Sequence, residues 1–382
     1  MKKSVLALAV AAAIAAPFAA QADTILYGSA RPSVDYNDEK SPLPGGDKVS
    51  AWDVFDNSSR LGVQGSEDLG GGLSAIYQYE FGVDMTEGGN FTSNRPKYAG
   101  LKGSWGSVTL GTQDTPYYGV VGIADIFNSG RTFGPSAWLG GSFSGYSINL
   151  TEEGDVRGSG DLFRLDNSIV YNSPEYSGFS ASLMLVMNGS LNSNAFTNYS
   201  GGWSDGVDTW NISAKYTNGP FFAGLSYIAL DGDKVTQNGV PVLDLDLDQW
   251  GFALGYNSGP FGLSLIYEYG DYNVWGLLKP TIQQITSSPD TPWNTYLTGT
   301  YTFGNSMISA AYGELSTGVP GQDNIQNYVL GYQYNFSKRT RVWVEYIGRS
   351  ANDVVTLADG TQGSILGYGD QNAVSIGTRV DF

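Results

Sequence analysis

The sequence contains neither cysteine nor histidine in its 382 residues. Without cysteine, an exported form of the chain must fold without disulfide bonds. Without histidine, a Ser-His-Asp triad, a Cys-His pair and a histidine-ligated zinc site are all excluded. The amino-acid composition does not exclude catalysis by carboxylates alone or a calcium site with oxygen ligands.

Basic residues are scarce as well. Lys and Arg number 20 against 37 Asp and Glu, which gives a formal net charge of −17. Nucleic acid binding requires a basic surface that neutralises phosphates. We therefore predict that the chain has no nucleic acid partner.

Long apolar runs are absent except near the start of the chain. There, Lys2 and Lys3 precede a mostly apolar stretch, and a small-residue cleavage site ends at Ala22. This order is typical of a secretory signal peptide, and the apolar stretch is short for a transmembrane helix. We predict a signal peptide at residues 1–22 and a single domain at 23–382.

What the sequence has in abundance is alternation between two kinds of side chain. In WGFALGYNSGPFGLSLIYEYG, residues 250–270, one parity carries Trp250, Phe252 and Leu254, whereas the other carries mostly Gly, Ala, Ser and Gln. Successive side chains of a strand point to opposite faces of the sheet. Such a hairpin therefore has a large aromatic face and a small, mostly polar face, and related hairpins recur about every 40 residues along the chain.

This alternation predicts an all-β fold, a transmembrane antiparallel β-barrel whose aromatic face contacts lipid and whose small face lines a wet lumen. Backbone groups in lipid need partners within the protein, so the sheet must close on itself. Two other classes compete with this interpretation. One is a soluble, secreted polysaccharide-binding β-protein with buried aromatic residues, and the other is a barrel enzyme of the outer membrane, whose usual catalytic histidine is missing here.

Six segments resemble Gram-negative general porins of the neisserial and burkholderial type. They are ILYGSARPSVDY (25–36), SSRLGVQGSEDLGGGLSAIYQYE (58–80), KYAGLKGSWGSVTLGTQDTP (97–116), RLDNSIVYNSPEYSGFSASL (164–183), YNFSKRT (334–340) and GTRVDF (377–382). The resemblance implies sixteen strands, a homotrimer in the outer membrane, and passive diffusion of ions and small hydrophilic solutes. It implies no enzymatic activity and no cofactor. A porin selective for a sugar or a carboxylate is the alternative within this class. Inward aromatic residues such as Tyr98 or Trp343 would be its only indication in the sequence, and they indicate it weakly.

The resemblance also implies partners. Lipids and lipopolysaccharide of the outer membrane would surround the barrel. The acidic charge of the chain leaves open whether the outer loops bind divalent cations shared with the lipopolysaccharide. The barrel-assembly machinery would recognise the terminal Phe382. The chain departs from the family at Thr112, where many relatives have Arg, so one basic position of the lumen wall is missing.

Residues 114–162 form the longest stretch without sustained alternation, and structureless connections of this length are often functional. In the porins that the chain resembles, the corresponding third loop folds into the barrel and narrows the lumen. An acidic loop exposed outside the barrel is the alternative. The acids predicted to line the constriction are Asp114, Asp125, Glu152 and Glu153.

A basic wall is predicted to face this loop. The outward positions of Leu61 and Val63 turn Arg60 inward, and the same parity argument applies to most of the other candidates. Arg60 and Arg164, with either Arg95 or Lys97, also match basic positions of the lumen wall in the porins that the chain resembles. The complete predicted set is Arg31, Arg60, Arg95, Lys97, Lys102, Arg164, Lys215 and Arg379.

Overall fold

The structure is a computed structural model of the chain. It describes residues 23–40, 48–88, 91, 95–130, 163–187, 206–232, 234–244, 246–272, 279–285, 290–351, 354–356, 362–364 and 369–382. The predicted signal peptide, Glu152 and Glu153 lie outside the described residues.

Alternating segments of the sequence form β-strands throughout. The first eleven are β1 (Asp23–Ala30), β2 (Pro32–Lys40), β3 (Lys48–Asp56), β4 (Arg60–Gly70), β5 (Leu73–Gly82), β6 (Lys97–Gly103), β7 (Gly106–Asp114), β8 (Arg164–Asn172), β9 (Phe179–Val186), β10 (Thr209–Asn218) and β11 (Phe221–Leu230). The others are β12 (Val235–Gln237), β13 (Val240–Leu243), β14 (Leu247–Ser258), β15 (Phe261–Gly270), β16 (Trp293–Phe303), β17 (Ser306–Ser316), β18 (Ile325–Asn335), β19 (Thr340–Ser350), β20 (Val354–Thr356), β21 (Gln362–Ser364) and β22 (Gln371–Asp381).

Eighteen of these strands belong to one antiparallel sheet, and β12–β13 and β20–β21 form two separate hairpins. The strands β1 and β2 are one pass of the chain interrupted at Arg31, and β3 and β4 are one pass interrupted at residues 57–59. The sheet therefore consists of sixteen passes, as the family resemblance predicted.

The sheet closes where the last strand meets the first pass. On one side β22 pairs with β19, and on the other it pairs with β2 and the end of β1. The terminal residue completes this seam, because the Phe382 N–H donates to Gly28 O at 3.0 Å and the Gly28 N–H donates to Phe382 O at 2.9 Å. Closure leaves no open sheet edge, so the barrel prediction is confirmed.

The interruption of the first two passes is held by side chains. The Asn57 amide donates to Arg31 O at 3.0 Å and to Ser33 Oγ at 2.8 Å, and the Arg31 N–H donates to Ser59 Oγ at 2.8 Å. Ser58 adopts a left-handed conformation with φ of 65°. Polar side chains thus replace ladder bonds at a wall position that is central to the site described below.

The two faces of the strands divide as the alternation predicted. Leu254 is 58% exposed on the outer surface, whereas its neighbour Ala253 is 2% exposed. Outward aromatic rings pack in bands near both ends of the strands. Centroid distances are 4.6 Å for Tyr227–Trp250 near the long loops, and 4.3 Å for Phe179–Tyr216 and 5.3 Å for Phe221–Tyr256 near the short turns.

Within the described residues, the helical segments lie in connections between strands. The helix α1 (Tyr118–Val121) continues into a 3-10 turn at Gly122–Ala124, and α2 (Lys279–Ile285) packs on the β12–β13 hairpin through a hydrogen bond from Thr281 Oγ1 to Val242 O. None of the helices in the described ranges has the length and apolar character needed to span a membrane.

The outward parity of β14 makes Leu254→Arg costly. An Arg at the lipid-facing midplane of a barrel costs about 2–4 kcal/mol. Thr300→Arg is the matched control, because Thr300 lies on the inward parity of β16 opposite Gly262. We expect Leu254→Arg to lower the free energy of unfolding in lipid vesicles far more than Thr300→Arg does. Equal losses for the two variants would contradict the assignment of the faces.

The seam predicts a second effect, since deletion of Phe382 removes two backbone hydrogen bonds at the closing strand. We expect a smaller fraction of folded, heat-modifiable protein in outer membranes while synthesis of the precursor continues. The measurement is the electrophoretic mobility of unheated membrane samples. A normal folded yield from the truncated chain would show that barrel closure and recognition by the assembly machinery do not depend on Phe382.

Candidate functional site

The loop that follows β7 turns into the barrel. The Thr115 N–H donates to Phe163 O at 2.8 Å, which joins the start of the loop to its end. The Tyr117 N–H then donates to Asn211 Oδ1 at 2.7 Å, and the Tyr117 hydroxyl donates to Glu268 Oε1 at 2.8 Å. These partners belong to inward faces of the wall, so the predicted inward folding of the third loop is confirmed over residues 115–130.

Glycines on the wall make room for α1. A Cβ at Gly251 would lie 2.9 Å from the Tyr117 ring, and a Cβ at Gly224 would lie 2.8 Å from Val120 Cγ1. Apolar residues of the loop and wall form a core here: Val120, Val121, Ala124, Ile228, Ala253, Ile266 and Tyr296. The small face of the β14–β15 hairpin, predicted to line a wet lumen, is therefore partly covered by the loop.

The far end of the described loop is held by the opposite wall. Glu345 on β19 accepts the Asn128 N–H at Oε1 and the Ser129 N–H at Oε2, each at 2.8 Å. The Gly130 N–H donates to Asn57 Oδ1 at 2.8 Å, at the interruption between β3 and β4. Residues 115–130 thus run across the lumen between two polar attachments.

Asp125 lies on this crossing segment. The Tyr118 hydroxyl donates to Asp125 Oδ2 at 3.0 Å. Burial raises the pKa of the Asp125 carboxyl, while this hydrogen bond and the positive charges of Arg31, Arg164 and Arg60 act in the opposite direction. Asp125 is therefore within electrostatic range of three of the predicted wall residues.

Arg60 and Arg95 share one carboxylate on the wall. Glu80 Oε1 lies 3.9 Å from Arg60 Nη1 and 3.4 Å from Arg95 Nη1. Arg95 also donates from Nη2 to Ser58 O at 3.2 Å. Arg95 therefore belongs to the wall through its contacts, although it precedes β6 and has no strand parity of its own.

Arg31 and Arg379 face each other across the seam, since Ala30 pairs with Val380 and Ser33 with Gly377. Arg31 Nε donates to Ser29 Oγ at 2.8 Å. Besides Asp125, the charged side chains that act on Arg31 include Arg60, Arg95, Arg379 and Asp381.

Arg341, which the sequence analysis missed, joins this group beside Arg379. Asp381 binds both guanidinium groups, at 2.7 Å from Arg379 Nε and 3.1 Å from Arg341 Nη2. The outward positions of Val342 and Val344 were the available signal, because they turn Arg341 inward on β19.

Asp114 has a different position from the predicted one. It ends β7 and pairs in register with Arg164, the first residue of β8. Arg164 Nε donates to Asp114 Oδ1 at 2.8 Å. Asp114 therefore lies on the basic wall and partly neutralises it, whereas the prediction placed it on the opposing loop.

The three predicted lysines occupy three different places, and of these Lys97 is adjacent to the arginines, since its Nζ donates to Arg95 O at 3.2 Å. Lys97 shares the outward parity of Ala99 and Leu101, and its Nζ lies 4.9 Å from the Phe81 ring centroid. By strand parity, the Lys97 side chain therefore starts from the outer face of β6 and is not part of the lumen wall. Lys102 is exposed near the end of β6, next to the turn that follows Gly103. Lys215 lies beside α1, with its Nζ 3.6 Å from the Cβ position of Gly119.

The inward aromatic residue Trp343 offers no open surface to a sugar. It is 1% exposed and donates from Nε1 to Ser375 Oγ at 3.2 Å. Within the part of the chain that the structure describes, no group of three or more acidic side chains is arranged to hold a metal ion.

Comparisons with known proteins agree with this geometry. A family model described as Gram-negative porin matches residues 7–353. Major outer membrane protein P.IB of Neisseria gonorrhoeae is 27% identical over 383 residues, covering 94% of this chain and 97% of that protein.

Two solved structures share the fold. An anion-selective porin from Comamonas acidovorans has a TM-score of 0.68 and 22% identity, and the alignment covers 95% of this chain and 100% of that one. OmpT of Vibrio cholerae in its trimer form has a TM-score of 0.57 and 14% identity, covering 94% and 99%. With the barrel and its arginine wall, the family match identifies an outer-membrane channel for passive diffusion of ions and small hydrophilic solutes. The chain belongs to the Gram-negative porin family.

Proposed function

We propose that this porin is a homotrimer whose constriction favours small anions over cations. The observation that carries the proposal is the excess of arginine around the crossing loop. Six arginines lie on the described wall: Arg31, Arg60, Arg95, Arg164, Arg341 and Arg379. Glu80, Asp114 and Asp381 pair with five of them, and Asp125 lies within electrostatic range of Arg31, Arg60 and Arg164.

The arginine cluster differs in its charge balance from the chain as a whole. Its six arginines outnumber the four carboxylates Glu80, Asp114, Asp125 and Asp381, whereas the chain has a formal net charge of −17. Glu268 and Glu345, which bind the loop, are not members of this cluster. Ion selectivity depends on the charged side chains that line the narrow part of a pore, because low-dielectric walls focus their field. Acidic residues elsewhere act on passing ions only through screened, longer-range interactions.

Two solved structures with the same fold support the proposal. The Comamonas acidovorans structure, which shares the fold, is described as anion-selective, and the Vibrio cholerae structure is a trimer form. We further propose that outer-membrane lipids and lipopolysaccharide surround the trimer and that the barrel-assembly machinery inserts it. The chain acts as a channel and not as an enzyme, in keeping with a family whose members are channels.

Arg60→Gln tests the anion preference. Two unit charges about 4 Å apart interact by roughly 4 kcal/mol at an effective dielectric of about 20, and salt in the pore screens most of this. We therefore expect relative ion permeation to shift toward cations by a few tenths of a kcal/mol to about 1 kcal/mol, with the shift shrinking as salt is raised. The measurement is the reversal potential of planar bilayers under a KCl gradient.

Asp125→Asn should shift the reversal potential in the opposite direction, because it removes the acid that faces the arginines. Lys338→Gln is the control, since Lys338 is exposed in the turn between β18 and β19 and its charge lies outside the lumen wall. An unchanged potential for Arg60→Gln at low salt, in an intact trimer, would exclude Arg60 from the constriction.

The attachments of the loop predict a change in conductance. Glu345→Gln leaves only one acceptor oxygen for the two N–H groups of Asn128 and Ser129, and a hydrogen bond to a charged group contributes about 1.5–3 kcal/mol. We expect larger fluctuations of the single-channel current at fixed voltage, because this end of the loop is held less firmly. Glu314→Gln, the same change at a residue on the outward parity of β17, should leave the recordings as in the wild type. Equally quiet currents in Glu345→Gln would show that the loop does not depend on this attachment.

A further inference from the structure

Glu80 is an acid buried inside an otherwise basic part of the wall. It lies on the inward parity of β5 and is 6% exposed. A buried carboxylate is stable only when it is paired with positive charge and hydrogen-bonded. Glu80 meets both conditions, because one oxygen lies near Arg60 and Arg95 and the other accepts a hydrogen bond from the Tyr27 hydroxyl at 2.9 Å.

The neighbours of Glu80 are themselves fixed. Gln78 Nε2 donates to the Tyr27 hydroxyl at 2.7 Å, which orients that hydroxyl as a donor toward Glu80. The Glu80 N–H donates to Pro96 O at 2.9 Å, directly beside Arg95. The carboxylate therefore occupies one defined place in the wall, between two guanidinium groups.

The two arginines that share Glu80 differ in their access to the lumen. The Arg60 side chain is 27% exposed, whereas those of Arg95 and Glu80 are 11% and 7% exposed. Arg95 also donates to Ser58 O at 3.2 Å, so it lies deeper in the wall. Of the three charges, that of Arg60 is the one most open to a passing ion.

We propose that Glu80 is a positioning and selectivity-determining residue of the channel. It holds the Arg60 guanidinium against the wall and cancels one of the two positive charges of Arg60 and Arg95. Arg60 is also within electrostatic range of Asp125 across the lumen, so the attraction of Glu80 opposes movement of Arg60 toward the loop. The inference rests on the proposed anion preference and adds that Glu80 keeps this preference moderate.

Glu80→Gln tests the inference, because it removes the charge and nearly preserves the shape. We expect the anion-to-cation permeability ratio to rise by roughly twofold to threefold at about 0.1 M salt, and the rise to disappear near 1 M salt. Glu80→Asp keeps the charge, so its permeability ratio should stay at the wild-type value, unlike that of Glu80→Gln. Glu314→Gln on the outer face is the matched control for loss of one carboxylate.

Arg60→Gln, recorded in the same bilayers, separates this inference from the proposed function. If Arg60→Gln shifts the reversal potential and Glu80→Gln does not, the role of Glu80 is disproved while the anion preference stands. If neither variant shifts it, the proposed function itself fails.

A variant that keeps the net charge covers the case in which Glu80→Gln does not assemble. Glu80→Gln combined with Arg95→Gln removes one charge of each sign, so we expect it to fold and to retain the wild-type permeability ratio. A ratio shifted toward cations in this double variant would contradict the charge cancellation that we assign to Glu80.

Discussion

A polypeptide in hydrocarbon has no water to bind its backbone N–H and C=O groups, and the architecture of this porin follows from that constraint. Sixteen passes satisfy one another, and the seam between β22 and the first pass removes the last open edges. The backbone groups of Arg31, where the first pass is interrupted, also have hydrogen-bond partners. The Asn57 N–H donates to Arg31 O at 2.9 Å, and the side chains of Asn57 and Ser59 supply further partners.

Because the large side chains point outward, the small and polar residues line the lumen. The residues that line one half of the lumen differ in size and charge from those that line the other half. On β11 and β14 the inward residues Gly224, Gly251 and Ala253 accommodate α1 and a small apolar core, which Ile266 of β15 joins. On the side of the seam and of β4, β7 and β8 the inward residues include arginines, each beside a shared carboxylate or a polar partner. The pore is therefore asymmetric, with the loop core against one side and a charged surface along the other.

Parity along a strand predicted the parts of the molecule that depend on local sequence. The faces of β14 and β15 and the inward direction of Arg31 and Arg60 agree with the alternation. The placement of Lys97 came from family positions and not from parity, and the outward parity of Ala99 and Leu101 already argued against it. The family resemblance predicted that the third loop folds inward, but not which wall residues hold it.

Contacts between distant segments were the part that the sequence did not reveal. Asp114 and Arg164 are 50 residues apart and meet only because β7 and β8 pair in that register. Glu80 and Glu345 stand on inward parities, yet nothing local shows that one binds two arginines and the other binds loop amides. These roles depend on the closed sheet, which brings together strands that are far apart in the chain.

The two attachments of the crossing loop have a mechanical consequence for the barrel. Tyr117 is bonded to Asn211 and Glu268 on one side, and residues 128–130 are bonded to Glu345 and Asn57 on the other. A sheet closed into a ring can flatten or widen without losing its ladder bonds. The loop opposes that deformation along one diameter, because widening there would break hydrogen bonds to buried carboxylates at both ends. The segment that narrows the lumen therefore also adds stiffness to the cross-section of the barrel.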